Sequence, residues 1–252
     1  MSDDDITPQV GRNADKEAEV QQHIREEIRK LYDVYSYGHA AAIMKTCFPR
    51  ELAEIEQALM EFRMTTDDIA TSGGSESPIP KKLSALLPND WRETRIKGDL
   101  VIGVESEKKD KSRSEKLTLN NYIDGHKIDH VKGRVALDVE WNSKDQTYDR
   151  DLYAFRTFHE CGIISVASLI TRSEKLNKAF ARIPQKNKDG TDKKDDSGNV
   201  KYCIAKYGAS TTWMGKLLYR LNAGRHGGCP VLVFGIRPEV ITDYDSEGKE
   251  QP

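Results

Sequence analysis

The sequence predicts a mixed α/β (α+β) fold, with a central mixed β-sheet flanked by helices and an N-terminal helical region. Three observations predict it. Short apolar runs at 134–141, 162–171 and 230–236 alternate with helical stretches at 149–160 and 211–223, the order that places helices over a sheet. Residues 15–64 instead carry apolar positions at three- and four-residue steps, the period of helices. With 252 residues, 37% hydrophobic and 32% charged, the chain is long enough for one sizeable domain or two small ones.

Residues 1–14 are polar and acidic and read as a disordered lead-in. From residue 15, Val20, Ile24, Ile28, Leu31 and Tyr35 put an apolar stripe on one helix face. After a break at 36–38, residues 39–47 read as a short helix. Pro49, suited to a first helical turn, opens another through Met64 with Leu52, Ile55, Leu59 and Phe62 inward. Residues 71–80 concentrate Gly, Ser and Pro and read as a loop. A helical turn at 81–87 precedes Trp91, and short strands are expected at 99–104 and 116–120 ahead of the three already named. Two charge-dense stretches, near 105–116 and 184–201, read as hairpin tips or flexible insertions, and 241–252 as a tail.

Composition narrows the function. No stretch approaches the roughly 18 apolar residues of a membrane helix, so no membrane partner is expected. The acidic start lacks the basic flank and apolar run of a signal peptide, which points to an intracellular protein. Cys47, Cys161, Cys203 and Cys229 are far apart with no CxxC pair, and read as reduced packing residues. A formal charge of -2 argues against coating nucleic acid by bulk charge, but leaves room for a local basic cleft.

The residues that carry chemistry lie at 128–145. Alternate side chains of a strand share a face, so Asp138 and Glu140 project together while Leu137, Val139 and Trp141 face the other way. Two such acids either line the exposed face of an edge strand or surround a cation. The near-continuous apolar run from Val135 to Trp141 reads as a central strand and favours the cation. Asp129, nine residues before Asp138, falls on the neighbouring strand of a hairpin turning at Lys132–Gly133. Three oxygen donors suit Mg²⁺ rather than zinc. His126 and His130 have a spacing that suits a metal on a helix, yet their surroundings read as strand and turn. A second cluster, Ser210, Thr211 and Thr212, leads into a helix bearing Lys216, with Arg225 beyond. It reads either as an ordinary helix cap or as a phosphate- and base-contacting edge. Asn142, Ser143 and Lys144 follow the acidic strand and are suited to reading base edges.

These pieces resemble a family. The order Asp129, eight residues, Asp138-Val139-Glu140, then Asn142-Ser143 resembles the active-site strand of BglII-type restriction endonucleases, variants of the PD-(D/E)xK nucleases. Residues 37–59, the segment LPNDWRE, GIISVASLITR, GASTTWMGKL and PVLVFGI are similar to the family's other elements, so the resemblance covers about 37–236. Asp138 and Glu140 stand where the compared enzyme has Glu and Gln. The resemblance implies a single restriction-endonuclease-like domain over 15–240 and a type II enzyme that hydrolyses double-stranded DNA at a short palindromic site. It further implies Asp129 and Asp138 as ligands of Mg²⁺, Glu140 acting on the attacking water, and Glu93 as a further acid. Base and phosphate contacts fall to Asn142, Ser143, Lys144, Ser210, Thr211, Thr212, Lys216 and Arg225. A homodimer, a partner DNA methyltransferase and a prokaryotic cytoplasm complete the expectation. The competing reading is a non-catalytic DNA-binding module on the same fold.

Overall fold

The first element departs from the single helix expected over 15–35. In the computed structural model, which describes residues 11, 13–71, 77–108, 111–208 and 210–244, this stretch forms two short helices and a strand. They are α1 (Glu17–His23), α2 (Glu26–Leu31) and β1 (Tyr32–Tyr37). Ile24 and Arg25 between the helices are extended, and buried Glu56 holds the break by accepting the Arg25 amide at 3.2 Å and its Nε at 2.6 Å. Val20, Ile24, Ile28 and Tyr32 are buried as the stripe requires, but the helical phase ends where β1 finds a partner strand.

Then follow α3 (Ala40–Cys47), α4 (Pro49–Glu61), α5 (Thr66–Ala70) and α6 (Pro78–Ser84). Pro49 opens α4 as expected, and Thr65 and Asp68 cap α5 reciprocally. Residues 1–10, 12, 72–76, 109–110, 209 and 245–252 lie outside the described set, and with them most of the lead-in, the tail and the centre of the 71–80 loop. The rest comprises β2 (Arg92–Arg95), β3 (Gly98–Lys108), β4 (Lys111–Ile123), β5 (Lys127–Lys132), β6 (Val135–Glu140), α7 (Thr147–Glu160), β7 (Val166–Arg172), α8 (Leu176–Phe180), α9 (Cys203–Lys206), α10 (Met214–Asn222) and β8 (Val231–Ile236).

Six strands build one mixed sheet in the order β1-β8-β7-β6-β5-β2. The pairs β6–β7 and β7–β8 are parallel, and β1–β8, β5–β6 and β2–β5 antiparallel. The expected strands at 99–104 and 116–120 are not in it. They belong to β3 and β4, a separate two-stranded hairpin into which the polar 105–116 stretch is drawn. The second polar stretch, 184–201, has no helix or strand of its own but is tied by isolated bridges such as Pro184↔Tyr202 and Lys194↔Val200.

Helices cover both faces. Val135, Leu137 and Val166 pack with α1–α6, whereas Ala136, Ala167 and Leu169 pack with Tyr148, Leu152, Phe155 and Phe158 of α7 and with Met214, Leu217 and Leu218 of α10. Cys203 and Cys229 are buried packing residues, but Cys47 and Cys161 are exposed, which corrects the sequence reading for those two. No helix among the described residues is long and apolar enough to cross a membrane.

Candidate active site

The strands β5 and β6 form the expected hairpin, turning at Gly133, whose φ of +54° is the left-handed value that glycine adopts without strain. Their register, His130↔Leu137 and Val131↔Ala136, ends one step short of Asp129 and Asp138 and brings those two next to each other. There the Asp129 amide donates to the Asp138 carboxylate, at 2.8 Å from Oδ1. Asp129 itself is exposed, while Asp138 is 5% and Glu140 8% exposed. Both buried acids share the face of Ala136, the face covered by α7.

A fourth carboxylate, absent from the sequence reading, meets them there. Asp151 of α7 is 3% exposed, and its Oδ2 is buried with no hydrogen-bond donor. Its Oδ1 accepts from Nε and Nη2 of Arg150 at 3.0 and 2.9 Å, and the same Nη2 lies 3.5 Å from Glu140 Oε1. Asp151 occupies the apolar stripe of α7 beside Tyr148, Leu152 and Phe155. An acid at that phase was the available signal.

Burial dominates the electrostatics of all three inward acids. It pushes Asp138 up to about 7, with the charges of Asp129 and Glu140 adding to the effect, and it raises Glu140. Asp151 goes up to about 8 through burial and the charges of Asp138 and Glu140. A carboxyl whose folded pKa lies above its unfolded value binds protons preferentially in the folded state, so rising pH through that window destabilises the fold. The cation-free protein is therefore expected to lose stability between about pH 4 and about pH 8, and Asp151→Asn to flatten that loss. Melting temperatures in EDTA at pH 5 and pH 8 check it; equal values for the parent protein would contradict it.

The two polar clusters named from sequence come together. Lys144 bridges Thr211, the Thr212 amide donates to Ser143 O at 2.9 Å, and the Asp145 amide donates to Ser210 O at 3.0 Å, all directly beyond the end of β6. Lys144 and Ser210 are exposed and Ser143 is half-buried. Thr211 gives its hydroxyl to Gly208 O at 2.7 Å. Thr212 is corrected: it is fully buried with an unpartnered hydroxyl, which removes its side chain from the DNA-facing set. Asn142 is half-buried and its Oδ1 has no partner.

Arg172, at the end of β7, was also missed. It is 1% exposed, donates to Thr212 O at 2.7 Å, Tyr207 O at 3.1 Å and Thr211 Oγ1, and lies on the rings of Phe180 and Tyr207. Burial lowers its pKa to about 10, still charged at neutral pH. Its signal was a cation closing the apolar run VASLIT, but its partners lie 35 to 40 residues away.

Three further cations near the site are paired. Lys216 lies 3.8 Å from Asp145, Arg225 pairs with Asp149, and Arg220 reaches Asp149 at 3.0 Å, so α10 is tied to the start of α7. Glu93, on β2, pairs with Lys127 at 2.5 Å and remains exposed. His126 meets the Tyr153 ring at a tilt of 57° with centroids 4.7 Å apart, ahead of β5, while His130 lies within it, so the two do not share a helical face. Among the described residues, the group of possible metal ligands lying within 4.8 Å of one another is elsewhere: Asp15, Glu19 and His39. The donors at β5 and β6 are set more openly.

The architecture and the order of acidic residues have a counterpart among known proteins. The family model for restriction endonuclease BglII/BglIII matches residues 32–236, which takes in all six strands of the main sheet. No curated protein matches the sequence. With a mixed sheet flanked by helices, and a family match over most of its length, the chain belongs to the BglII/BglIII restriction endonucleases, type II site-specific deoxyribonucleases that act on DNA.

Proposed function

We propose that this enzyme hydrolyses phosphodiester bonds at a short palindromic site, with Mg²⁺ held by Asp129 and Asp138 and the attacking water oriented or deprotonated by Glu140. The observation that carries this reading is the carboxylate group itself. Asp129 lies next to Asp138 on a tight hairpin, and Asp138, Glu140 and Asp151 are buried together with one arginine against them. Buried acids in such excess over cations are costly unless protons or a metal compensate them. Their chemistry fits the group: Asp129 and Asp138 are hard oxygen donors of the kind such a cation takes. When bound, the cation would lower the pKa of its water and offset charge developing on the phosphate.

The chain's own residues supply the rest. Asp138 is oriented by the Asp129 amide, so the two strands move as one unit. Glu140, inward and buried, would act on the attacking water. Glu93 reaches the site's margin through Lys127 and acts there as an accessory acid. Beyond β6, the paired segments at 142–145 and 210–212 support a base-reading edge, with Asn142, Ser143, Lys144, Ser210 and Thr211 as contacts. Lys216 and Arg225 serve phosphates if the duplex competes with Asp145 and Asp149 for them.

Cutting both strands of a palindrome calls for two such sites on a twofold axis, hence a homodimer. A cytoplasmic prokaryotic enzyme of this kind also needs a DNA methyltransferase of the same specificity to protect host DNA. The test is digestion of unmethylated phage DNA with Mg²⁺ or EDTA, with the fragment ends sequenced and the protein's mass in solution measured. Discrete Mg²⁺-dependent fragments with symmetric ends from a dimer are expected. Intact DNA in Mg²⁺, with specific retention in a binding assay, would favour the non-catalytic module instead.

A further inference from the structure

Arg150 is placed where a phosphate would arrive. Among the described residues, the ion pairs to Glu140 and to Asp151 both come from its guanidinium, at 3.5 and 2.9 Å. Its own side chain is 71% exposed, whereas that of Asp151 is 4% exposed. A surface arginine serving solubility has no need of a buried carboxylate, and burying Asp151 beside Asp138 and Glu140 is unfavourable in itself. The visible result of that placement is that Arg150 is fixed by two hydrogen bonds to one oxygen and leans over Glu140.

Charge points the same way. Asp129, Asp138, Glu140 and Asp151 face one arginine, and a phosphodiester adds a further negative charge that grows as the bond is attacked. Lys127 is engaged by Glu93 at 2.5 Å, and Arg220 and Arg225 by Asp149. Arg150 combines exposure with contact to the inward acids, and its planar fork matches two phosphate oxygens.

We propose that Arg150 is a further catalytic residue, contacting a non-bridging oxygen of the scissile phosphate, and that Asp151 is the positioning residue that aims it. This rests on the hydrolytic reading above. The experiment uses a duplex carrying the site mapped by end sequencing and compares the wild type with Arg150→Met, Arg150→Lys, Asp151→Asn and the double variant Arg150→Met/Asp151→Asn. Single-turnover cleavage in Mg²⁺ and equilibrium binding of the same duplex in EDTA are measured for each.

Arg150→Met is expected to slow cleavage by roughly 10²–10³-fold, the scale of losing one donor to developing charge, with affinity changed by less than about tenfold. Arg150→Lys recovers part of the rate. Asp151→Asn slows cleavage without weakening binding, and the double variant is no slower than Arg150→Met, because Asp151 acts through Arg150. Cleavage by Arg150→Met within about threefold of wild type, or losses in rate and affinity that match, would overturn the catalytic role. Additive losses in the double variant would overturn the positioning role of Asp151. Failure of the wild type to cut in Mg²⁺ would instead remove the hydrolytic reading, and this inference with it.

Discussion

Asp138→Asn is expected to abolish cleavage while making the cation-free protein more stable. The carboxylate it replaces is 5% exposed, and burial holds its pKa near 7, so folding at pH 8 forces a charge into a poorly solvated place. Asparagine has nearly the same shape, and its carbonyl can still accept the Asp129 amide, so the hairpin keeps its geometry. Removing the charge is worth on the order of 2–4 kcal/mol at pH 8 in EDTA, and little near pH 4, where the folded aspartate is protonated and the unfolded one only about half ionised. The same change removes an anionic oxygen donor for the cation, and a loss of about 10³-fold or more in cleavage is expected. Thermal melts in EDTA at the two pH values, beside single-turnover digestion in Mg²⁺, give both halves. A variant that melts lower than the parent at pH 8 would contradict the electrostatic account.

Arg172→Met is the second large effect, and its sign is opposite. The guanidinium gathers Thr212 O, Tyr207 O and Thr211 Oγ1 beside the stacked rings of Phe180 and Tyr207. Methionine fills part of the volume but donates nothing, leaving the buried carbonyls of Thr212 and Tyr207 short of a partner at roughly 1–3 kcal/mol each before relaxation, while the Thr211 hydroxyl keeps its bond to Gly208 O. A net destabilisation of about 3 kcal/mol is expected, read as a lower denaturant midpoint with an unchanged slope. The function follows the geometry. Arg172 holds Tyr207, Thr211 and Thr212, and residues 210–212 pair with 143–145 beyond Glu140, so the folded fraction of the variant should bind duplex DNA less selectively. A midpoint within experimental error of the parent would mean that the segment is held by its other contacts.

The β5–β6 hairpin was legible because its information is local. Alternation put Asp138 and Glu140 on one face, Gly133 marked the turn, and the spacing to Asp129 set the register. The amphipathic stripe gave α7, and the apolar runs gave β6, β7 and β8 within a few residues. What failed depended on partners distant in the chain. Tyr32–Tyr37 continued a helical stripe and became a strand only because β8 pairs with it. Glu56 broke the preceding helix from across the fold. Apolar runs at 99–104 and 116–120 looked like sheet core, yet they pair with each other in a hairpin that leaves Val101, Val104 and Leu117 exposed. Asp151 carried a local signal, an acid in an apolar stripe, but its meaning came from Asp138 and Glu140 on another element. Thr212 shows the reverse error, a polar residue in an apt motif whose side chain the fold buries.

The structure contains two groups of acids that could take a cation, and one measurement separates them. Supercoiled DNA carrying the mapped site is digested in Mg²⁺ by the wild type, by Asp138→Asn and by Glu19→Gln, the last altering the Asp15–Glu19–His39 group far from β6. The account predicts full cleavage by the wild type and by Glu19→Gln, and none by Asp138→Asn. Cleavage retained in Asp138→Asn and lost in Glu19→Gln, with both variants folded, would move the catalytic centre away from the β5–β6 hairpin and contradict the account.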